Sequence, residues 1–178
     1  ALGYPDGRVT IVSIPELKLL NAINSARSVD ALAFSPDGRW LAIGNSGIQL
    51  WDCEQHKLSA PAFTLEGRVF GLSFNCSSDL LAVTYGGSTT GVYASLISVG
   101  EEFAEQPPAV QKYTQYRAFR TNWGLRQMEA ILIGNSGQLL TGEHQSFTLR
   151  DSRTGGVVRK VDTGGPTFVL ACWKQKYL

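Results

Sequence analysis

Two histidines, three cysteines and a short acidic run are the residues of this chain best suited to chemistry. A Ser-His-Asp or Cys-His centre needs a nucleophile, a base and an orienting group converging on one point. The spacing around His56 and His144 supplies no such set, and both read as solvated loop histidines. Cys53, Cys76 and Cys172 are odd in number, far apart and without a Cys-x-x-Cys pair. A disulfide framework or structural zinc site is therefore not expected, and the residues read as small, buried or half-buried thiols in a reducing compartment. Glu101, Glu102 and Glu105 beside Pro107-Pro108 could be imagined as an acid–base pair, but they read better as a solvated linker. "GNSG" occurs at 44–47 and 134–137. Neither copy opens a helix or precedes Lys-Ser/Thr, so a phosphate loop is not indicated. Both read as turns between adjacent strands in which glycine supplies positive φ. No catalytic residue, metal site or cofactor site is expected.

The elements that would position any site follow from size and pattern. The 178 residues, 43% hydrophobic and 17% charged, suit a globular domain with a sizeable core and exclude a disordered chain. The net charge is +1, and the two halves differ only from −2 (1–89) to +3 (90–178), too little to drive nucleic-acid binding. No apolar run approaches the ~18 residues needed to cross a bilayer as a helix. The chain opens "ALGYPDG" in mid-pattern and without Met, as a fragment would. The sequon Asn75-Cys76-Ser77 is of a kind that arises often by chance.

A repeat dominates. "VDALAFSPDGRWLAIG" aligns with "VFGLSFNCSSDLLAVT" when Phe34 is set on Phe74, 40 residues later. Phe34 set on Ile133 places Trp51-Asp52 on Arg150-Asp151. The longer step from Phe74 to Ile133, 59 residues, implies an insertion. A period of ~40–45 residues marks a four-stranded propeller blade. Within one repeat, Val29–Phe34 alternates, Ser35–Gly38 turns, Trp40–Ile43 and Ile48–Asp52 form two more strands, and Lys57–Leu65 returns along the outer edge. "FSPDGRWLAIGNSGIQLWD" is therefore one unit of a recurring architecture.

These residues resemble the WD-repeat family, strongly at 27–65, fairly at 66–98 and 128–161, and weakly at 99–127. The resemblance implies an all-β propeller of four-stranded antiparallel blades, with about four blade equivalents here. First inner strands are expected near 28–34, 68–74, 128–133 and 167–173. The units would be a partial blade at 1–26, blades at 27–65, 66–127 (inserted at about 99–112) and 128–163, and the start of a further blade at 164–178. The repeats are divergent. The family's Gly-His position reads Ala26-Arg27 or Gly67-Arg68, "NSG" replaces the turn Asp, and the Trp is kept only at Trp51. Trp51 is expected between neighbouring blades without its network partners.

The function implied is a non-enzymatic platform for other proteins, within a larger propeller or multidomain protein and inside the cell, in the cytoplasm. Alternatives from other classes are a half-ring that closes with another copy or segment, and an enzyme-type propeller with a central pocket. Neither nucleic acid nor membrane is an expected partner. The loops before each first strand and between the second and third strands share one face. That face would gather Asn24, Arg27, Asn45, Glu66, Arg68, Tyr85, Trp123, Arg126, Glu143 and Asp162, with Arg120 flanking. Arg27, Arg68, Tyr85, Arg120, Trp123, Arg126 and Glu143 are the candidate partner-binding residues, since Arg, Tyr and Trp dominate desolvated interfaces. In the insertion, "VQKYTQYRAF" is expected to return as an outer strand.

Overall fold

The computed structural model describes residues 1–58, 63–65, 67–87, 91–99, 111–116, 130–133, 138–143, 146–151, 154 and 156–162. All regular structure among them is β. Sixteen strands form four antiparallel sheets.

The first sheet has three strands: β1 (Leu2–Gly3), β2 (Arg8–Val12) and β3 (Leu19–Asn24). The second runs β4 (Ala31–Phe34), β5 (Trp40–Gly44), β6 (Gly47–Asp52) and β7 (Lys57–Leu58), with β8 (Phe63–Thr64) also paired to β6. The third runs β9 (Arg68–Phe74), β10 (Leu80–Gly87), β11 (Gly91–Ser98) and β12 (Gln111–Tyr116). The fourth runs β13 (Ala130–Ile133), β14 (Gln138–Glu143), β15 (Ser146–Asp151) and β16 (Val157–Asp162). Three expected inner strands thus appear as β4, β9 and β13, which lie side by side. The fourth, 167–173, lies outside the described residues, as do the acidic run and most of the insertion. The segment expected to return as an outer strand is β12, paired with β11.

Register explains why the second sheet reads as nearly continuous apolar sequence. Trp40 and Ala42 of β5, with Ile48 and Leu50 of β6, pack on the third sheet through Val69, Leu81, Val83, Tyr85 and Ile97. The alternate residues Leu41 and Ile43, with Trp51, pack on Val9, Ile11 and Ile23 of the first sheet. Successive side chains point to opposite faces, so a sheet covered on both sides must be apolar at every position. Trp51 is buried between two blades, as expected.

The lower turns are capped by side chains. Ser35 Oγ accepts from Trp40 N–H (2.8 Å) and donates to Asp37. One repeat later Asn75 Oδ1 accepts from Leu80 N–H (3.0 Å), and its Nδ2 donates to Ser77 and Asp79. Asn75 is buried and fully engaged, which accounts for the sequon by structure alone. Asp52 accepts from the N–H groups of Glu54 and Gln55, and Asp151 accepts from Thr154. The Asp after the third strand is thus a turn cap in both repeats.

Candidate functional site: the upper rim between blades

The upper ends of the sheets are joined by a contact that recurs from one blade to the next. Val29 N–H donates to Tyr4 O (3.2 Å), and 40 residues later Val69 N–H donates to Asn45 O (3.0 Å). Beneath each bond a glycine leaves room for the same two side chains. A Cβ on Gly3 would lie 2.5 Å from Val29 Cγ1 and 3.3 Å from Leu32 Cδ1; on Gly44 it would lie 2.6 Å from Val69 Cγ1 and 3.3 Å from Leu72 Cδ1. The first strand of each following blade is therefore seated on a glycine of the blade before. This corrects the reading of 44–47: neither Gly44 nor Gly47 has positive φ. Gly44 is required by close approach rather than by turn geometry. The copy at 134–137 lies outside the described residues.

Polar side chains tie the rim across the same seams. Arg27, on the loop entering β4, donates to Ser46 Oγ (2.6 Å) in the β5–β6 turn. Arg68, at the start of β9, pairs bidentately with Asp30, with Nε at 3.2 Å. The hydrogen bond and charge of Asp30 push the Arg68 guanidinium further toward its charged form. Arg68 is 73% exposed and Asp30 only 8%, so the arginine serves a carboxylate buried in the seam. Gly7, at φ +90°, lets that loop approach: a Cβ there would meet Arg27 N and O at 2.8 Å.

The structure redistributes the expected rim residues. Arg27 and Arg68 stand on the rim on adjacent seams. Tyr85 does not: it is 1% exposed, inside the core between the second and third sheets, with its hydroxyl bonded to Ser95 Oγ (3.3 Å). Strand β10 continues through it, which turns the side chain into the seam. Asn45 is likewise buried and structural. Asn24 is exposed and caps its own turn through Ala26 N–H (2.9 Å). Glu143 ends β14 opposite Ser146, and Asp162 ends β16 exposed. Glu66, Arg120, Trp123, Arg126 and His144 lie outside the described residues. Sequence reasoning missed Ser46 and Asp30, the partners of the two arginines. Their only signal was placement 19 and 38 residues away at the same end of neighbouring repeats. His56 is exposed on a turn at φ 52°, with Nδ1 3.1 Å from Asn21 Nδ2 and its ring edge-on to Trp51.

Among known proteins, no family model matches the chain. It is 38% identical over 64 residues to an uncharacterized WD repeat-containing protein of Deinococcus radiodurans, covering 34% of this chain and 24% of that one. It is 39% identical over 61 residues to human mitogen-activated protein kinase-binding protein 1, covering 31% of this chain and 4% of that one. In structure it matches the β-propeller domain of Myceliophteria thermophila Cps50 (Swd1), with a TM-score of 0.71 over 97% of this chain and 56% of that one. The chain is a β-propeller segment whose repeats are similar to those of WD-repeat proteins. It also matches a chain of Kuenenia stuttgartiensis hydrazine synthase, with a TM-score of 0.66 over 89% of this chain and 47% of that one. At 16% identity both structural likenesses concern the fold alone. The chain spans well under two thirds of the relatives it matches.

Compared with the WD-repeat pattern it resembles, the propeller departs at the blade network. The Trp51 indole N–H is buried with no acceptor among the described residues. The Gly-His and turn-Asp positions hold Ala26-Arg27 and Asn45-Ser46-Gly47, and Arg27 and Ser46 bond each other instead. The seams between blades carry instead the glycine seats and the rim pairs.

Proposed function

We propose that this segment is a non-enzymatic platform whose upper rim, centred on Arg27, binds another protein. The observation that carries the reading is the tying of the rim loops across blades by Arg27–Ser46 and Arg68–Asp30. A surface fixed in advance loses little conformational entropy on association. WD-repeat relatives, one of them named for binding a kinase, support a protein as the partner class. The blade units at 1–26, 27–65, 66–127, 128–163 and 164–178, placement within a larger propeller or multidomain protein, and a cytoplasmic setting belong to the same proposal, as do Arg120, Trp123, Arg126 and Glu143 as further contacts. The test is a photo-crosslinking side chain placed at position 27 or, at the opposite blade end, position 54, in the intact protein in its cell. The proposal expects a discrete protein adduct from 27 and none from 54. Adducts from 54 alone, or from neither site, refute it.

A further inference from the structure

The loop from β1 to β2 is bound to the loop entering β4, and the two form one rigid unit of the rim. Tyr4-Pro5-Asp6-Gly7 is a turn closed by Gly7 N–H donating to Tyr4 O (3.1 Å), with Pro second and Gly fourth, the places a turn favours. Tyr4 N–H donates to Arg8 O (2.9 Å), which holds the base of the turn together. Ser25, buried, joins this turn to its neighbour. Its N–H donates to Gly7 O (2.9 Å), and its hydroxyl lies 2.8 Å from Gly7 O and 2.9 Å from Arg27 O. The side chains on this unit therefore stand on a backbone that does not have to be ordered when a partner arrives.

Two guanidinium groups are fixed on it. Arg8 Nε donates to Asp6 Oδ2 (2.7 Å), and the Arg8 guanidinium lies 5.1 Å over the Tyr4 ring, which sets its plane. Arg27 donates through one terminal nitrogen to Ser46 Oγ. Both arginines are exposed, and the Arg8 side chain keeps 66% of its surface in water. Among the described residues Asp6 is the one carboxylate bonded to either of them. Asp30, on the same loop as Arg27, is buried and bound to Arg68. The unit thus carries two fixed cations against one anion, and each guanidinium keeps most of its donors for a second acceptor. A planar guanidinium matches a carboxylate through two parallel bonds. Two cations, on a chain of net charge +1, are too few to hold a nucleic-acid backbone. On the reading of the rim as a protein-binding platform, on which this inference rests, we propose that the β1–β2 loop belongs to the binding surface. The partner segment it takes is acidic, with carboxylates on Arg8 and Arg27, and Tyr4 positions Arg8.

The test is fluorescence anisotropy of a labelled hexaglutamate peptide against the full chain at about 50 mM salt, where surface charge is little screened. The peptide binds, while hexaglutamine and hexalysine do not. Arg8→Gln and Arg27→Gln each weaken it about threefold or more, and the two together about tenfold or more, since each removes one ion pair at a solvent-exposed site. Lys18→Gln, which removes an exposed cation at the opposite end of the blade, leaves the affinity unchanged. A hexaglutamate peptide that stays unbound at about 500 µM chain overturns the proposal. So does one that binds the double variant as tightly as wild type. An oligothymidine that binds through the same arginines more tightly than the peptide also overturns it, in favour of nucleic acid. The crosslink at position 27 is a separate result: an adduct there without peptide binding leaves the platform standing and removes its acidic partner.

Discussion

Gly44→Ala tests the seating of one blade on the next. The added Cβ would lie 2.6 Å from Val69 Cγ1 and 3.0 Å from Val69 Cβ, both inside ordinary contact distance. Val69 is 1% exposed and cannot swing into solvent. Overpacking of this kind costs about 1–3 kcal/mol. Replacing glycine lowers the entropy of the unfolded chain and returns about 0.4–1 kcal/mol. The net expectation is a loss of about 1–2 kcal/mol, read from the urea midpoint at unchanged m-value. Val69→Ala alone removes two buried methyl groups and costs about 2 kcal/mol. It also removes the atom nearest the new Cβ. The double variant should therefore lose about 1 kcal/mol less than the sum of the singles. Gly3→Ala with Val29→Ala should repeat the pattern one blade earlier, because the two seats share their geometry. A stabilised Gly44→Ala, or additivity within about 0.5 kcal/mol at both seats, would refute the reasoning.

Trp51→Ala should cost about 3–5 kcal/mol, and Trp51→Phe less, because it also removes a buried N–H that has no acceptor among the described residues; equal losses by chemical denaturation would contradict this. Burial opposes ionisation of Asp37, but bonds from Ser35, Arg39 N–H and Ser78 hold its carboxyl below the usual 3.8; bonds from Ser77 and Asn75 do the same for Asp79. Carboxyls depressed on folding contribute stability that is complete above the unfolded value and lost as pH falls through the folded one. The urea midpoint should thus fall on acidification below about pH 4, and the Asp37→Asn, Asp79→Asn double variant should show a shallower fall. Burial, then the charges of Asp52 and Asp37, push the Cys53 thiol up, while Cys76 is exposed, so a thiol reagent near pH 8 should label Cys76 first, as mass spectrometry can read.

The repeat was legible because it is written in the backbone's own periodicities. Phe34 and Phe74 each end an alternating strand, and each is followed by a polar turn with a Ser or Asn cap. Such signals are local, and local signals survive in sequence. Strand β3 was missed because Leu19-Leu20 does not alternate; a register shift lies between Ile11 and Val12 opposite it, and both leucines face water. Tyr85 reads in sequence as a rim residue because it is assigned to the loop between the second and third strands. Only the pairing of Tyr85 with both Val69 and Tyr93 shows that the strand runs on. The partners of Arg27 and Arg68 sit in neighbouring repeats, and no local pattern announces a pairing across a seam. Gly44 was recognised as special for the wrong reason: in sequence, a glycine demanded by a neighbour's side chain looks the same as one demanded by φ.

The proposed rim is tested most directly by the affinity of the protein crosslinked at position 27 for the Arg27→Glu variant. Arg27 is exposed and its side chain, among the described residues, bonds only the Ser46 hydroxyl, so its replacement should leave the melting temperature nearly unchanged. Arg68→Glu is less informative, because it strands the buried Asp30 and lowers stability as well. A rim contact at Arg27 should weaken binding by about tenfold or more. Unchanged affinity for Arg27→Glu, in a chain that still binds and still melts as wild type does, would place the binding surface elsewhere.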